Sequence, residues 1–402
     1  MKALQIYAGP QARAHIAQHG LAPQHIGVVP GAAGGPKGLI LGPLDRFLFG
    51  DWLPQSSQPI HLVGASIGAW RMATGCLANP VEAFKTLERD YIAQHYELQP
   101  GQKRPPASFV SEQFGHNLAS FFGGRVHEVL QHPRYRLHVF TSRGRGLLAR
   151  EGKWRTPLGY GGAFLANAVQ RRLLGQFLER VVFSSQHAAL PFGTGGFRTR
   201  QIDLTPANFM QAVQASCSIP FVLQAVHDIV GAPPGAYWDG GITDYHLHLD
   251  YISSQSFIEN IAGSAINTSK ICQTESVNSV NNSYLSNQAH PSADTPTPGD
   301  AGIVLYPHFQ QAVVPGWLDK SLKGRHKATP FLDNMVLLAP NPEWVKTLPN
   351  AKLPDRTDFT HYGNDLAGRV KAWTTAVAAS QQMADEFAAW LREPDVGQVR
   401  AI

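Results

Sequence analysis

Apolar residues along this chain gather into short runs that alternate with longer amphipathic stretches. The short runs are HIGVV (25–29), IHLVG (60–64), RLHVFTS (136–142), RVVFSS (180–185), TRQIDL (199–204), IVLYPHF (303–309) and MVLLA (335–339). They read as strands. The longer stretches read as helices: GLILGPLDRFLF (38–49), IGAWRMATGCLA (67–78), VEAFKTLERDYIAQHY (81–96), AFLANAVQRRLLGQFLERV (163–181), PANFMQAVQASC (206–217) and a C-terminal one near 364–392. Strands separated by helices predict a layered α/β fold around a mainly parallel sheet. The stretch 253–300 breaks the pattern. It is rich in Ser, Asn, Thr and Pro and poor in aromatics, so it can bury little apolar surface and is expected to be a mobile insertion in a domain spanning 1–402.

Composition changes this picture little. The chain has 402 residues, 43% of them hydrophobic and 16% charged, which is ample for a large core. The formal charge of +5 permits attraction to anionic surfaces but does not point to nucleic acid. Cys76, Cys217 and Cys272 are widely spaced, which fits a reducing compartment and offers neither a disulfide framework nor a zinc site. The first twenty residues lack the long apolar stretch of a secretory signal, and no run of eighteen apolar residues occurs. A cytoplasmic protein is expected, with room for peripheral contact with a membrane.

Three short stretches carry candidate chemistry. In HLVGASIGAWR (61–71), Ser66 stands between Gly64 and Gly68, after a strand and before a helix. A serine at the apex of such a turn can be a nucleophile, with the helix N-terminus favouring negative charge beside it. A plain strand–helix turn fits the same residues. In VVPGAAGGPKG (28–38), Pro36 before Lys37 and Gly38 after it exclude a nucleotide P-loop, and the glycine spacing excludes a dinucleotide fingerprint. What remains is an oxyanion hole with Gly34 and Gly35 N–H groups as donors, or a glycine-rich turn. In AYWDGGITDYH (236–246), Asp239 precedes Gly240 and Gly241. It is a turn former, or a base if burial and a hydrogen bond direct it at the serine.

Together these stretches resemble the patatin-like phospholipase family. AGGPKG (33–38) resembles its glycine-rich signature, with Ala33 in place of the first glycine and with Lys37 and Gly38 matching. GASIG (64–68) matches its nucleophile motif, Asp239, Gly240 and Gly241 match its D-G-G, and ASCSIPFVL (215–223) resembles its Ala-Ser-x-x-Ile-Pro segment. The resemblance spans roughly residues 25–250. It implies a three-layer α/β sandwich and a serine–aspartate dyad, Ser66 and Asp239, acting through an acyl-enzyme on lipid esters, with no metal or organic cofactor. The same motifs serve an acyltransferase or a non-catalytic lipid-binding protein of the same fold. Tyr245 and His246 depart from the family pattern after D-G-G, and Pro43 is expected to kink the helix after the glycine loop.

Other candidates are weaker. A histidine-dependent triad would want a late histidine such as His326 or His361, both in polar contexts. HLHLD (246–250) lacks a third metal ligand. The helix carrying Arg171, Arg172 and Arg180 and the phenylalanines 109, 114, 121 and 122 are expected to pack in the core, with membrane contact and acyl-chain binding as the respective alternatives. The basic run 320–327 reads as a solvated face or an anionic head-group dock.

Overall fold

Eleven strands form the frame of the structure, a computed structural model that describes residues 1–96, 102, 105–251 and 302–402. The stretch 253–300 and Cys272 lie outside the described residues. In chain order the strands are β1 (Leu4–Ala8), β2 (Ile26–Gly31), β3 (Ile60–Ala65), β4 (Tyr135–Gly144), β5 (Leu178–Ser184), β6 (Thr199–Asp203), β7 (Val226–His227), β8 (Ala236–Asp239), β9 (Ile303–Pro307), β10 (Met335–Pro340) and β11 (Val399–Ala401). They pair in the order β11-β1-β10-β9-β2-β3-β4-β5-β6, with β8 joined to β4 and β7 to β8. The central pairs β10–β9, β9–β2, β2–β3 and β3–β4 are parallel. All seven expected strands are present.

Helices cover both faces, as the burial of whole central strands requires: every residue of β2, β9 and β10 is buried. They are α1 (Pro10–His19), α2 (Gly42–Phe47), α3 (Ile67–Gly75), α4 (Pro80–Ala93), α5 (Ala107–Phe122), α6 (Val126–Leu130), α7 (Arg155–Val169), α8 (Phe209–Cys217), α9 (Pro342–Val345), α10 (Thr357–Tyr362), α11 (Leu366–Ala379) and α12 (Gln381–Arg392). The result is a three-layer α/β sandwich with a mostly parallel mixed sheet. No described helix is long and apolar enough to cross a membrane.

Three helices differ from expectation. The stretch 38–49 is a 3-10 turn (Gly35–Leu41) followed by α2 and a wide final turn, so Pro43 sits in the first turn of α2 and starts that helix instead of kinking one. The stretch 163–181 does not stay helical. α7 ends at Val169, a 3-10 turn (Arg171–Gln176) follows, and residues from Leu178 enter β5, where all seven are buried. Arg180 therefore sits in a strand, where it bonds Asp244 with both Nε (2.7 Å) and Nη2 (2.5 Å). The C-terminal stretch divides at Ser380 into α11 and α12. Of the four phenylalanines, Phe121 and Phe122 are buried, Phe114 packs on Trp70, and Phe109 is exposed.

Candidate active site

The sheet brings the serine and the aspartate together by sharing one strand edge between two partners. Residues 135–140 of β4 pair with β3, so that Ala65 faces Phe140. β4 then continues past the end of β3, and the next residues, 141–143, pair with β8 running the opposite way, so that Asp239 faces Thr141. The C-terminal ends of β3 and β8 therefore meet head to head. Ser66 follows the first and Asp239 closes the second.

Ser66 occupies φ 57°, ψ −131°, a left-handed conformation that a residue with a Cβ adopts only under constraint. The constraint is visible. Gly68, the second residue of α3, lies so close to β2 that a Cβ there would stand 1.8 Å from the Gly31 carbonyl oxygen, and one on Gly64 would stand 2.4 Å from Ala69 Cα. The two glycines of GASIG are thus required by the packing of α3 on β2 and β3. The Ser66 N–H donates to Ser216 Oγ (2.9 Å), which fixes the turn from the side of α8.

Asp239 is held at every polar atom. Its Oδ2 accepts from Ser66 Oγ at 2.6 Å, and its Oδ1 accepts from the Gly241 N–H at 2.7 Å. Its N–H donates to the Ser218 carbonyl (2.9 Å), and its carbonyl accepts from Ser142 Oγ (2.9 Å). Burial pushes its pKa up from 3.8 to about 6, against the Ser66 hydrogen bond, Arg356, the Gly241 N–H and Lys320, which all pull it down. Gly240 and Gly241 earn their place sterically, since Cβ atoms there would meet the Phe140 carbonyl oxygen at 2.2 Å and Ala33 Cβ at 2.6 Å.

The glycine-rich loop reaches the same place from the end of β2. The Ala33 N–H donates to the Tyr245 carbonyl at 2.9 Å, so Tyr245, one of the two departures from the family pattern, ties this loop to the one after Asp239. Gly34 and Lys37 line a cavity of about 190 Å3 together with Ser66, Asp239 and Gly241. The Gly34 N–H has no hydrogen bond among the described residues. Gly35 adopts φ 58° and faces a neighbouring cleft beside Tyr91 and Arg356, so of the two expected donors only Gly34 lines the cavity. A Cβ on Gly38 would meet Arg71 Cδ at an ordinary 3.7 Å. Arg71 on α3 bonds Asp45 of α2 twice at 2.7 Å, both side chains being buried. That pair locks the helix after the glycine loop to the helix after Ser66.

Several neighbours of the pair carry no chemical signal of their own in the sequence. Ser216 and Ser218 brace Ser66 and Asp239 through ASCSIP, a stretch noted only for its resemblance. Lys320, Arg356, Trp317 and Ile219 complete the cavity wall. In the sequence Lys320 is one residue of a basic run, and Arg356 carries no local signal at all. The other candidates stay outside the cavity. His326 bonds the Asp319 carbonyl, and His246 Nδ1 accepts from the Val314 N–H. No group of three metal-ligating side chains occurs among the described residues.

An α/β sandwich with a strained serine at one strand end, bonded to a buried carboxylate at another, is the architecture that the sequence resemblance implied. The family model described as patatin-like phospholipase matches residues 34–246, more than half of the chain. The chain belongs to the patatin-like phospholipase family, whose chemistry is that of esterase- and phospholipase-type lipid acyl hydrolases. Neither the curated proteins nor the solved structures give a match.

Proposed function

We propose that this protein is a serine acyl hydrolase that cleaves carboxylic esters of lipids through Ser66 and Asp239. The observation that carries the reading is the 2.6 Å bond from Ser66 Oγ to Asp239 Oδ2 at the wall of an open cavity. A carboxylate raised to about 6 can take a proton near neutrality and hold it long enough to pass it on. Ser66 Oγ attacks the ester carbonyl and its proton moves to Asp239. The Gly34 N–H, with the first turn of α3, stabilises the oxyanion. The carbon–oxygen bond to the alcohol breaks, and the leaving oxygen takes the proton from Asp239. Water then attacks the acyl-enzyme, giving its proton to Asp239. The fatty acid departs, and Ser66 recovers its proton.

The cavity is small beside the roughly 300–1,000 Å3 of pockets that enclose whole ligands, so most of an acyl chain must lie outside it. Apolar surface is available there. Ile219 and Pro220 in the cavity wall lead to exposed Phe221 and Val222, and Phe221 packs edge-on against Tyr160 of α7. The outer face of α7 carries Leu158, Leu165 and Val169, with Trp154 just before it, at 65%, 67%, 79% and 73% exposure. We propose this face as the peripheral membrane contact.

Hydrolysis of p-nitrophenyl esters from butyrate to palmitate, by wild type and by Ser66→Ala, tests the reading. Turnover lost in the variant, with an acyl adduct on Ser66 by mass spectrometry in the wild type, is the expected result. Undiminished turnover by Ser66→Ala overturns it.

A further inference from the structure

We infer that Lys37, Lys320 and Arg356 form an anion cradle at the mouth of the Ser66 cavity, which selects acyl esters bearing a phosphate without a compensating cationic head group. The inference rests on the acyl-hydrolase reading above. Two of the three residues, Lys320 and Arg356, lie beyond the segment that the family model matches.

The three cations reach one cavity from three separate segments. Lys37 comes from the glycine-rich loop, with Nζ 5.7 Å from the Phe309 ring centre. Lys320 comes from the turn after Trp317–Asp319, with Nζ 4.0 Å from the Tyr245 ring centre. Arg356 stands just before α10 and lies against the glycine-rich loop, where a Cβ on Gly35 would be 3.2 Å from its Nε.

Their backbones are anchored. Asp319, next to Lys320, is fully buried and accepts from Arg171 Nη1 (2.7 Å), Arg325 Nη1 (2.8 Å) and Asn167 Nδ2 (2.8 Å). Asp355, next to Arg356, accepts from Lys352 Nζ and from the Thr357 N–H, each at 2.8 Å. The cradle lysine and arginine therefore hang from fixed points.

None of the three has a carboxylate within 4.0 Å among the described residues, although eleven other arginines and three lysines there do. The two acidic side chains in the wall are engaged elsewhere, Asp239 by Ser66 and Gly241, Asp355 by Lys352 and Thr357. The crowding is felt. Burial, then Arg356 and Lys37, lower the pKa of Lys320 to about 8, with Asp239 opposing. Like charges gathered around one small cavity repel one another, and an anion between them removes that repulsion. A phosphate offers several acceptor oxygens to donors arriving from different sides. A choline or ethanolamine head group would bring a fourth cation into the same space. Because cradle and dyad share one cavity, phosphate and ester must sit close together, as they do on a glycerol backbone.

The test compares three substrates with one acyl chain: palmitoyl glycerol phosphate, palmitoyl glycerol and palmitoyl glycerophosphocholine. The wild type is expected to favour the first by roughly tenfold or more in kcat/KM, the scale of one hydrogen bond to a charged group. Lys320→Gln and Arg356→Gln should each lower that ratio several-fold, and Lys320→Arg should keep it. Taking the ratio cancels any change the variants make in the dyad itself. Glycerol phosphate and inorganic phosphate serve as competitors. Inhibition by either shows that the phosphate alone suffices, whereas preference without inhibition assigns the cradle to the intact lipid. Equal rates on all three substrates, or a ratio unmoved by the variants, overturn the cradle. If no ester is hydrolysed, the hydrolase reading fails, and calorimetric binding of palmitoyl glycerol phosphate decides the cradle separately. Binding weakened by Lys320→Gln supports it, and no binding overturns it.

Discussion

Asp239→Asn examines the chemistry of the site and its energetic cost together. The new amide matches the carboxylate in shape. Its oxygen can keep the Gly241 N–H bond, and its nitrogen can donate to Ser66 Oγ, but it accepts no proton. Turnover should fall by roughly 100- to 10,000-fold, the usual worth of a positioned general base. Stability should move the other way. Burial raises Asp239 from 3.8 to about 6, so the folded chain binds this proton more tightly than the unfolded one. Its contribution favours folding below pH 3.8 and is lost as pH rises through about 6. At about 1.4 kcal/mol per pKa unit, keeping the carboxylate ionised at pH 7 costs the fold about 3 kcal/mol. The amide carries no such cost. The variant should therefore be more stable than wild type at pH 7 by up to about 3 kcal/mol, and by less than about 1 kcal/mol at pH 4. Guanidinium titrations followed by tryptophan fluorescence at the two pH values measure this. A stability difference that is the same at both, or a variant weaker at pH 7, would refute the account of a buried, ionised base.

Further outcomes follow from the same geometry. The pH–rate profile should rise with an apparent pKa of about 6, and Arg356→Gln should move that limb to higher pH, because the guanidinium pulls the Asp239 pKa down; an unmoved limb would separate the two residues. Gly68→Ala should prevent folding, since its Cβ would overlap the Gly31 carbonyl, whereas Gly38→Ala, with nothing nearer than 3.7 Å, should cost under about 1 kcal/mol; circular dichroism melts compare them. Arg71→Met leaves Asp45 buried without its partner and should cost about 3–5 kcal/mol, much of which a second substitution, Asp45→Leu, should restore in denaturant titrations.

The sequence by itself determined the strands and the residues at their ends. Alternation and short apolar runs depend on local burial preference, so β2, β3, β9 and β10 were legible. So were the motifs around Gly34, Ser66 and Asp239, because a close backbone approach admits only glycine, and such positions stand out in a chain. The stretch 163–181 has a helical periodicity throughout, yet only its first part is helix. The sheet overrode it, burying Leu178–Ser184 and pairing Arg180 with Asp244.

Only the tertiary structure decided what those residues do together. That β8 takes over the edge of β4 where β3 stops, setting Asp239 against Ser66, depends on long-range pairing that no local pattern encodes. The raised pKa of Asp239 is a property of its burial. In the sequence Lys320 and Arg356 are two basic residues among many, and only the fold brings them, without carboxylate partners among the described residues, to the cavity where Ser66 lies.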